Sequence, residues 1–578
     1  MAGPTAPKDP EKARPFFYIL KDKDIFGERQ KDGTGIQFIY ESDGRLINSA
    51  QITGNVTDKE ELRLLETVEG FGRLVHSIGV SVETDRPEET AEFVFQMYGK
   101  KDLYGGGTNL TTSLKCDGME HRIYLSDYRW TEDDHVPGQI KILFAAPERM
   151  GKVSVRLFLN DGYEAPPEEE DLVIDMHSEE YCGMISRSLL QLGNPYRIRK
   201  AIEKSKAGKE VTLAYIGGSI TQGAGAIPIH TECYAYKSFQ LFQNRFSTQN
   251  NVRFIKAGVG GTPSELGMIR FDRDVLREGE RPDIVVIEFA VNDEGDETKG
   301  VCYESLVRKV LKLPWKPAVV LLFSVFANDW NLQERLRPVG DLYDLPMVSI
   351  RDAVTPQFSL KCGEGRILSK NQFFYDIFHP NNTGHTIMAD CLQYLFERCD
   401  AAEPARIGTF VEGMTEEQIL SEKLSGPAVI GADFERIFLL DKKNRYVGAK
   451  IRAGSFTSTD MELQSVEMDG NLIQTPEFPY NWMYDGSRPQ MAGFEMEIIC
   501  KSLFLIFKDS GEMDVGKANV FVNDVYCMTA DPHKNNWLHC NAVLLFWETE
   551  SRSHKVRIAV TEEDRNKKFT ILGFGYTI

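Results

Sequence analysis

The chain has 578 residues, a formal net charge of −19, 42% hydrophobic and 26% charged residues. This composition excludes a disordered chain, and the length exceeds what one core organises, so about two to four domains are expected. The acidic balance excludes blanket attraction to nucleic acid or an anionic membrane, which both require excess Lys and Arg.

No apolar run approaches the roughly 18 to 20 residues of a membrane helix. The first residues, "MAGPTAPKDPEKARPFF", lack the apolar core of a secretory signal. The ten cysteines are scattered with no CxxC pair, as expected of reduced thiols in a cytoplasmic protein. His533, His539 and Cys540, with nearby Cys527, match no zinc spacing, so no metal is expected there.

Up to about residue 165, short runs such as "EFVFQMYG", "GQIKILFAA" and "KVSVRLFLND" alternate apolar and polar side chains. Period-two alternation predicts half-buried antiparallel strands and an N-terminal β-sandwich-like module over 1–165. The acidic "APPEEED" at 165–171 reads as a linker. The pattern then changes. "VTLAYI", "PDIVVIEFAVND" and "KPAVVLLFSVF" are near-continuous apolar runs, as in strands buried on both faces. Between them, Phe239, Phe242 and Phe246 share one helical face, and Ile387, Met388, Cys391, Leu392 and Leu395 form another. Strands alternating with helices predict an α/β domain over 175–402, with a parallel sheet covered on both sides. From about 403 to 578 the pattern returns to β: "SVEMDGNLI" carries an Asp-Gly hairpin signal, "ANVFVNDVY" and "AVLLFW" read as strands, and "KVRIAV" alternates strictly.

Four stretches of the middle region carry chemistry. In "VTLAYIGGSITQG", Ser219 follows a strand and two glycines. It could be a helix N-cap, but the spacing gives neither a dinucleotide fingerprint, a Walker loop nor a G-x-S-x-G elbow. In "AGVGGTPS", Gly261 would leave a backbone N–H accessible, and in "EFAVND" Asn292 offers an amide that can donate to an oxyanion. In "FYDIFHPNNTGH", Asp376 and His379 are three apart, and Pro380 keeps them in a loop before a helix starting near Thr383. Such a carboxylate can accept from one imidazole nitrogen while the other faces a nucleophile, although a surface histidine and a turn aspartate would look the same in isolation.

Together, "GGSIT", "GVGGT", "AVND" and "DIFHPN" resemble the four blocks of the SGNH (GDSL-like) hydrolase superfamily. Gly218 stands where many members have Asp, and Ala290 where Gly is frequent. The flanked arrangement is similar to bacterial carbohydrate esterases that remove acetyl groups. The resemblance implies a three-layer α/β/α domain between β-sandwich-like modules, with Ser219, His379 and Asp376 as catalytic triad. The N–H groups of Ser219 and Gly261 with the Asn292 amide would form the oxyanion hole, and no cofactor would be needed. The expected partner is an acetylated oligosaccharide; a homo-oligomer stays open. Trp330 and Trp537 are candidate sugar platforms, with packing as the alternative. Other esterase, thioesterase or lipase-like activities stay open, as does a non-catalytic carbohydrate-binding protein.

Overall fold

The computed structural model describes residues 12–39, 45–101, 105–168, 170–277, 279–295, 297–402, 414–467, 474–487 and 492–578. Its centre is a six-stranded sheet in the spatial order Leu189–Gln191, Met347–Ser349, Ala318–Phe323, Ile284–Glu288, Val211–Gly217 and Val252–Gly258. Only the first of these strands runs antiparallel to its neighbour. Every residue of the Val211–Gly217, Ile284–Glu288 and Ala318–Phe323 strands is buried, which is why their sequences show no polar alternation.

The alternation appears instead as a division between two faces. Leu213, Tyr215, Val286 and Val320 join a core with Phe242 and Phe246 of the Tyr234–Phe246 helix and Ile387 and Leu395 of the Asn382–Ala401 helix. Ala214, Ile216, Val285 and Ile287 join the opposite core with Leu266 and Leu306. The chain lays Val252–Gly258 on one side of Val211–Gly217 and then Ile284–Glu288 on the other. The topological switch of the sheet therefore lies at the carboxyl end of the strand that precedes Ser219, where open α/β sheets bind ligands.

The N-terminal region forms a four-stranded and a five-stranded antiparallel sheet around one core. Three short helices, Arg45–Ile52, Lys59–Leu64 and Val68–Leu74, interrupt the expected run of strands. Asp58 and Thr67 cap the second and third through their side chains, a start signal that period-two counting overlooks.

The C-terminal region is an eight-stranded sheet with a separate two-stranded hairpin. The hairpin pairs Ser465–Glu467 with Gln474–Pro476; the Asp469-Gly470 turn itself lies outside the described residues. "ANVFVNDVY" is two strands rather than one, because Asn523 and Asp524 adopt φ of 52° and 62° and reverse the chain. Both residue types tolerate that left-handed geometry. The helix Glu416–Ser425 departs from the all-β expectation, and its Glu417 receives two hydrogen bonds from the Arg197 guanidinium, at 3.1 and 2.9 Å.

Both flanking regions are joined to the centre. Phe434, Ile437, Phe504, Ile506 and Leu572 belong to the same core as one face of the central sheet. On the other side, Tyr375 packs against the N-terminal core.

Candidate active site

Ser219 begins a four-residue helix directly after the Val211–Gly217 strand, with Gly218 as its N-cap. The Ser219 hydroxyl is not spent on capping and lies 2.9 Å from Nε2 of His379. Nδ1 of His379 is 2.9 Å from Asp376 Oδ2. An ionised carboxylate only accepts, so Nδ1 carries the hydrogen and Nε2 is left to accept the serine proton. The same aspartate builds the loop: its Oδ1 accepts the N–H groups of Phe378 at 2.7 Å and His379 at 2.8 Å. Asn381 then caps the Asn382–Ala401 helix by accepting from Gly384, so the loop ends one residue before the expected start at Thr383.

Burial alone would lower the His379 pKa, but the Asp376 carboxylate and the more distant Glu288 hold it above the ordinary imidazole value. Burial also opposes ionisation of Asp376, yet the His379 charge and the loop N–H groups keep its carboxyl below the usual range. The arrangement is a polarised proton relay with a defined tautomer.

The N–H groups of Ser219 and Gly261 have no acceptor among the described residues. Asn292 reaches the same turn from the loop after the Ile284–Glu288 strand. A Cβ on Gly218 would stand 2.2 Å from Asn292 Oδ1 and 2.6 Å from Nδ2. A Cβ at this position would therefore require the Asn292 amide to move. Gly261 is required for two reasons: its φ is +67°, and a Cβ there would lie 2.8 Å from the Trp537 ring and 3.0 Å from His539 Nε2.

The two tryptophans differ in placement. Trp537, 45% exposed, reaches from the C-terminal region to the Gly261 loop. Trp330 stacks on Phe326 with centroids 5.7 Å apart, and Phe326 meets Phe378 edge-on at 5.0 Å, beside His379. Phe326 and Phe378, with Asn328, Lys370, Asn48 and Gln51, line a groove of about 430 Å³ between the centre and the N-terminal region.

Several supporting residues escaped the sequence analysis. The buried Arg270 donates to the carbonyls of Gly217 and Ala257, both at 2.8 Å, and pairs with Asp274 at 2.9 Å. It ties together the strand ends that lead to Ser219 and Gly261; the i,i+4 pair in "RFDRD" was its only trace. Glu288 lies buried beside the Ser219–Gln222 helix and accepts from Thr221 at 3.1 Å. Burial raises its carboxyl to about 7 despite the hydrogen bond from Thr221 and the nearby His379. Lys23, from the N-terminal region, is 3% exposed and donates to the carbonyls of Phe374 and Asn371, immediately before Asp376. Burial lowers it to about 8, opposed by Asp376, Asp24 and Asp171. The second histidine of "FHPNNTGH", His385, accepts from Tyr234 N–H and donates to Ala224 carbonyl, and burial lowers it to about 3. It supports the fold and cannot act as a base.

Among the described residues no group of three or more His, Cys, Asp or Glu is arranged to hold a metal, and no helix is long and apolar enough to cross a membrane.

Residues 215–387 match the GDSL-like Lipase/Acylhydrolase family. Among solved structures, a two-domain esterase active on acetylated mannans is 24% identical, with 68% of this chain and 98% of that one aligned and a TM-score of 0.55. The same kind of enzyme co-crystallised with mannopentaose gives 24%, 68%, 98% and 0.53. An acetylxylan esterase from Geobacillus stearothermophilus is 19% identical over 34% of this chain and 97% of its own, with a TM-score of 0.26. The comparison with curated proteins finds no match. The central region is a GDSL-like hydrolase domain of the SGNH fold, and β-rich regions flank it.

Proposed function

We propose that the protein is a serine esterase that removes short acyl groups, acetyl foremost, from carbohydrate. The observation that carries this reading is the hydrogen-bonded chain Ser219–His379–Asp376, with the N–H groups of Ser219 and Gly261 left without an acceptor among the described residues. Ser219 Oγ attacks the ester carbonyl carbon while His379 Nε2 takes its proton. The carbonyl oxygen becomes an oxyanion, received by the N–H groups of Ser219 and Gly261 and by the Asn292 amide. Collapse breaks the bond to the alcohol, which leaves with the proton from His379. Water, deprotonated by the same imidazole, then attacks the acyl-serine and releases the acid.

The surroundings support a saccharide as the alcohol. Trp537 stands against the Gly261 loop, and the groove beside Phe378 lies near His379. Aromatic faces accompanied by amide groups suit a pyranose, whose C–H face stacks while its hydroxyls need partners. The Asn48, Gln51 and Asn328 amides in the groove meet that need. Trp330 backs the aromatic wall through Phe326. The fold neighbour active on acetylated mannans points the same way. Among the described residues no disulfide joins the cysteines, which suits imported oligosaccharides in a reducing compartment.

The test is acetate release from a panel containing acetylated manno-oligosaccharides, acetylated xylo-oligosaccharides, a long-chain acyl ester and an acyl thioester. The reading expects acetylated oligosaccharides to give the highest kcat/KM. A preference for the long-chain ester or the thioester would overturn it.

A further inference from the structure

The N–H of Gly261 belongs to the peptide unit whose carbonyl is that of Gly260. This peptide is trans, so its C=O and N–H point in opposite directions. The Gly260 carbonyl is gripped from behind: Gln464 Nε2, from the C-terminal region, donates to it at 2.9 Å. The orientation of that side chain is fixed, because its Oε1 accepts from Cys540 N–H at 3.1 Å. Flipping the amide would place two acceptors together at Gly260 and two donors together at Cys540. Gln464 is only 9% exposed, and its own carbonyl accepts from Glu477 N–H at 2.7 Å.

The next carbonyl is held from the same side. His539 Nε2 lies 3.0 Å from Gly261 oxygen, while Asn535 Nδ2 faces His539 Nδ1 at 3.2 Å. A carbonyl oxygen only accepts, so Nε2 carries a hydrogen and donates to Gly261. Two successive carbonyls of a glycine-rich loop are therefore anchored by side chains outside the hydrolase domain.

We propose that Gln464 is a positioning residue for catalysis: it fixes the plane of the Gly260–Gly261 peptide and so aims the Gly261 N–H at the developing oxyanion. Two effects follow from the geometry. A glycine pair is the most mobile backbone the loop could have, and anchoring its carbonyl removes that freedom before the reaction begins. Donation to the carbonyl also polarises the peptide unit and makes its N–H a better donor. The C-terminal region is then a structural half of the oxyanion site as well as a neighbour of the substrate. This inference rests on the serine-esterase reading.

The test uses the full-length protein with Gln464→Met, which keeps an unbranched chain of similar length without a donor. Gln464→Glu is its near-isosteric companion. Turnover of an aryl acetate is measured per active site titrated with an organophosphonate. About a ten-fold fall in kcat is expected, a fraction of the loss on deleting an oxyanion donor outright, with KM within about two-fold because the ground-state ester makes little use of the donor. Combining Gln464→Met with Asn292→Ala should give less than the product of the single losses, since both act on one oxyanion. Wild-type kcat per titrated site in either variant, or a loss confined to thermal stability, would overturn the proposal. Ser219→Ala is run alongside: its retention of activity would overturn the esterase reading itself, whereas an inactive Ser219→Ala beside a fully active Gln464→Met overturns only this inference.

Discussion

In the proposed mechanism, catalysis at Ser219 is a question of one proton. His379 must be neutral to accept it, yet the Asp376 and Glu288 carboxylates stabilise the charged ring by more than burial penalises it. The raised pKa moves the ascending limb of kcat/KM above the ordinary imidazole value of about 6.5. Asp376→Asn removes the larger of those attractive charges, so the limb should move to lower pH while the plateau falls steeply as the ring loses its tautomer. A rate profile of wild type and variant from pH 5 to 9 checks both; a wild-type limb below pH 6 would contradict the electrostatics. Gly218 makes a second prediction at this scale. Its added Cβ would enter the Asn292 amide, so Gly218→Ala should cut kcat by about 10² or more by displacing an oxyanion donor. Circular dichroism should remain native. Unchanged kcat would mean that the Asn292 amide is not needed where it stands.

The elements that carry these residues show why part of the site was legible in sequence. Ser219, Gly261 and Asn292 each follow a buried strand, and Asp376 and His379 share one turn. Short-range spacing records such groups. Lys23 left no such record, because its contact with Phe374 spans 351 positions and a lysine within an alternating strand looks like a solvated one. Gln464 is likewise 204 positions from Gly260. Glu288 sat inside a segment already explained as a strand, and Arg270 in one with no motif of its own. Among the elements, the hairpin at Asn523-Asp524 was hidden because its two-residue turn carries no glycine. The Lys23 contact predicts that the Phe373–Asn381 turn depends on the N-terminal region. Lys23→Met leaves the buried Phe374 carbonyl without its donor, at about 1–3 kcal/mol, while Asn371 keeps the Asn381 amide, and should lower both Tm and kcat, the latter by about ten-fold. Wild-type values of both would show that the catalytic turn holds itself.

At the scale of the molecule, the centre is enclosed by its neighbours rather than merely linked to them. The C-terminal region shares a hydrophobic core with the central sheet, and the N-terminal region packs on the Asp376–His379 turn through Tyr375 and Lys23. Composition and periodicity indicated three regions in the right order but not this interlocking, since contacts between regions have no period. Trp537 tests whether the enclosure selects substrate. Trp537→Ala removes an exposed ring beside Gly261 and should lower kcat/KM for an acetylated oligosaccharide roughly five-fold, about the worth of one stacked ring. Aryl acetate hydrolysis should change much less. Equal losses on both substrates would point to a disturbed Gly261 loop, and no loss on either would assign the indole to packing alone.

The central claim is that Ser219 is the nucleophile of an acyl-transfer site. Its most direct test is the intact mass of the protein after treatment with a fluorophosphonate, followed by peptide mapping. The account predicts one phosphonyl group per chain, located on Ser219, with labelling fastest above the His379 pKa and aryl acetate hydrolysis lost in proportion. Labelling at another residue, or full hydrolysis by a chain fully modified at Ser219, would contradict it.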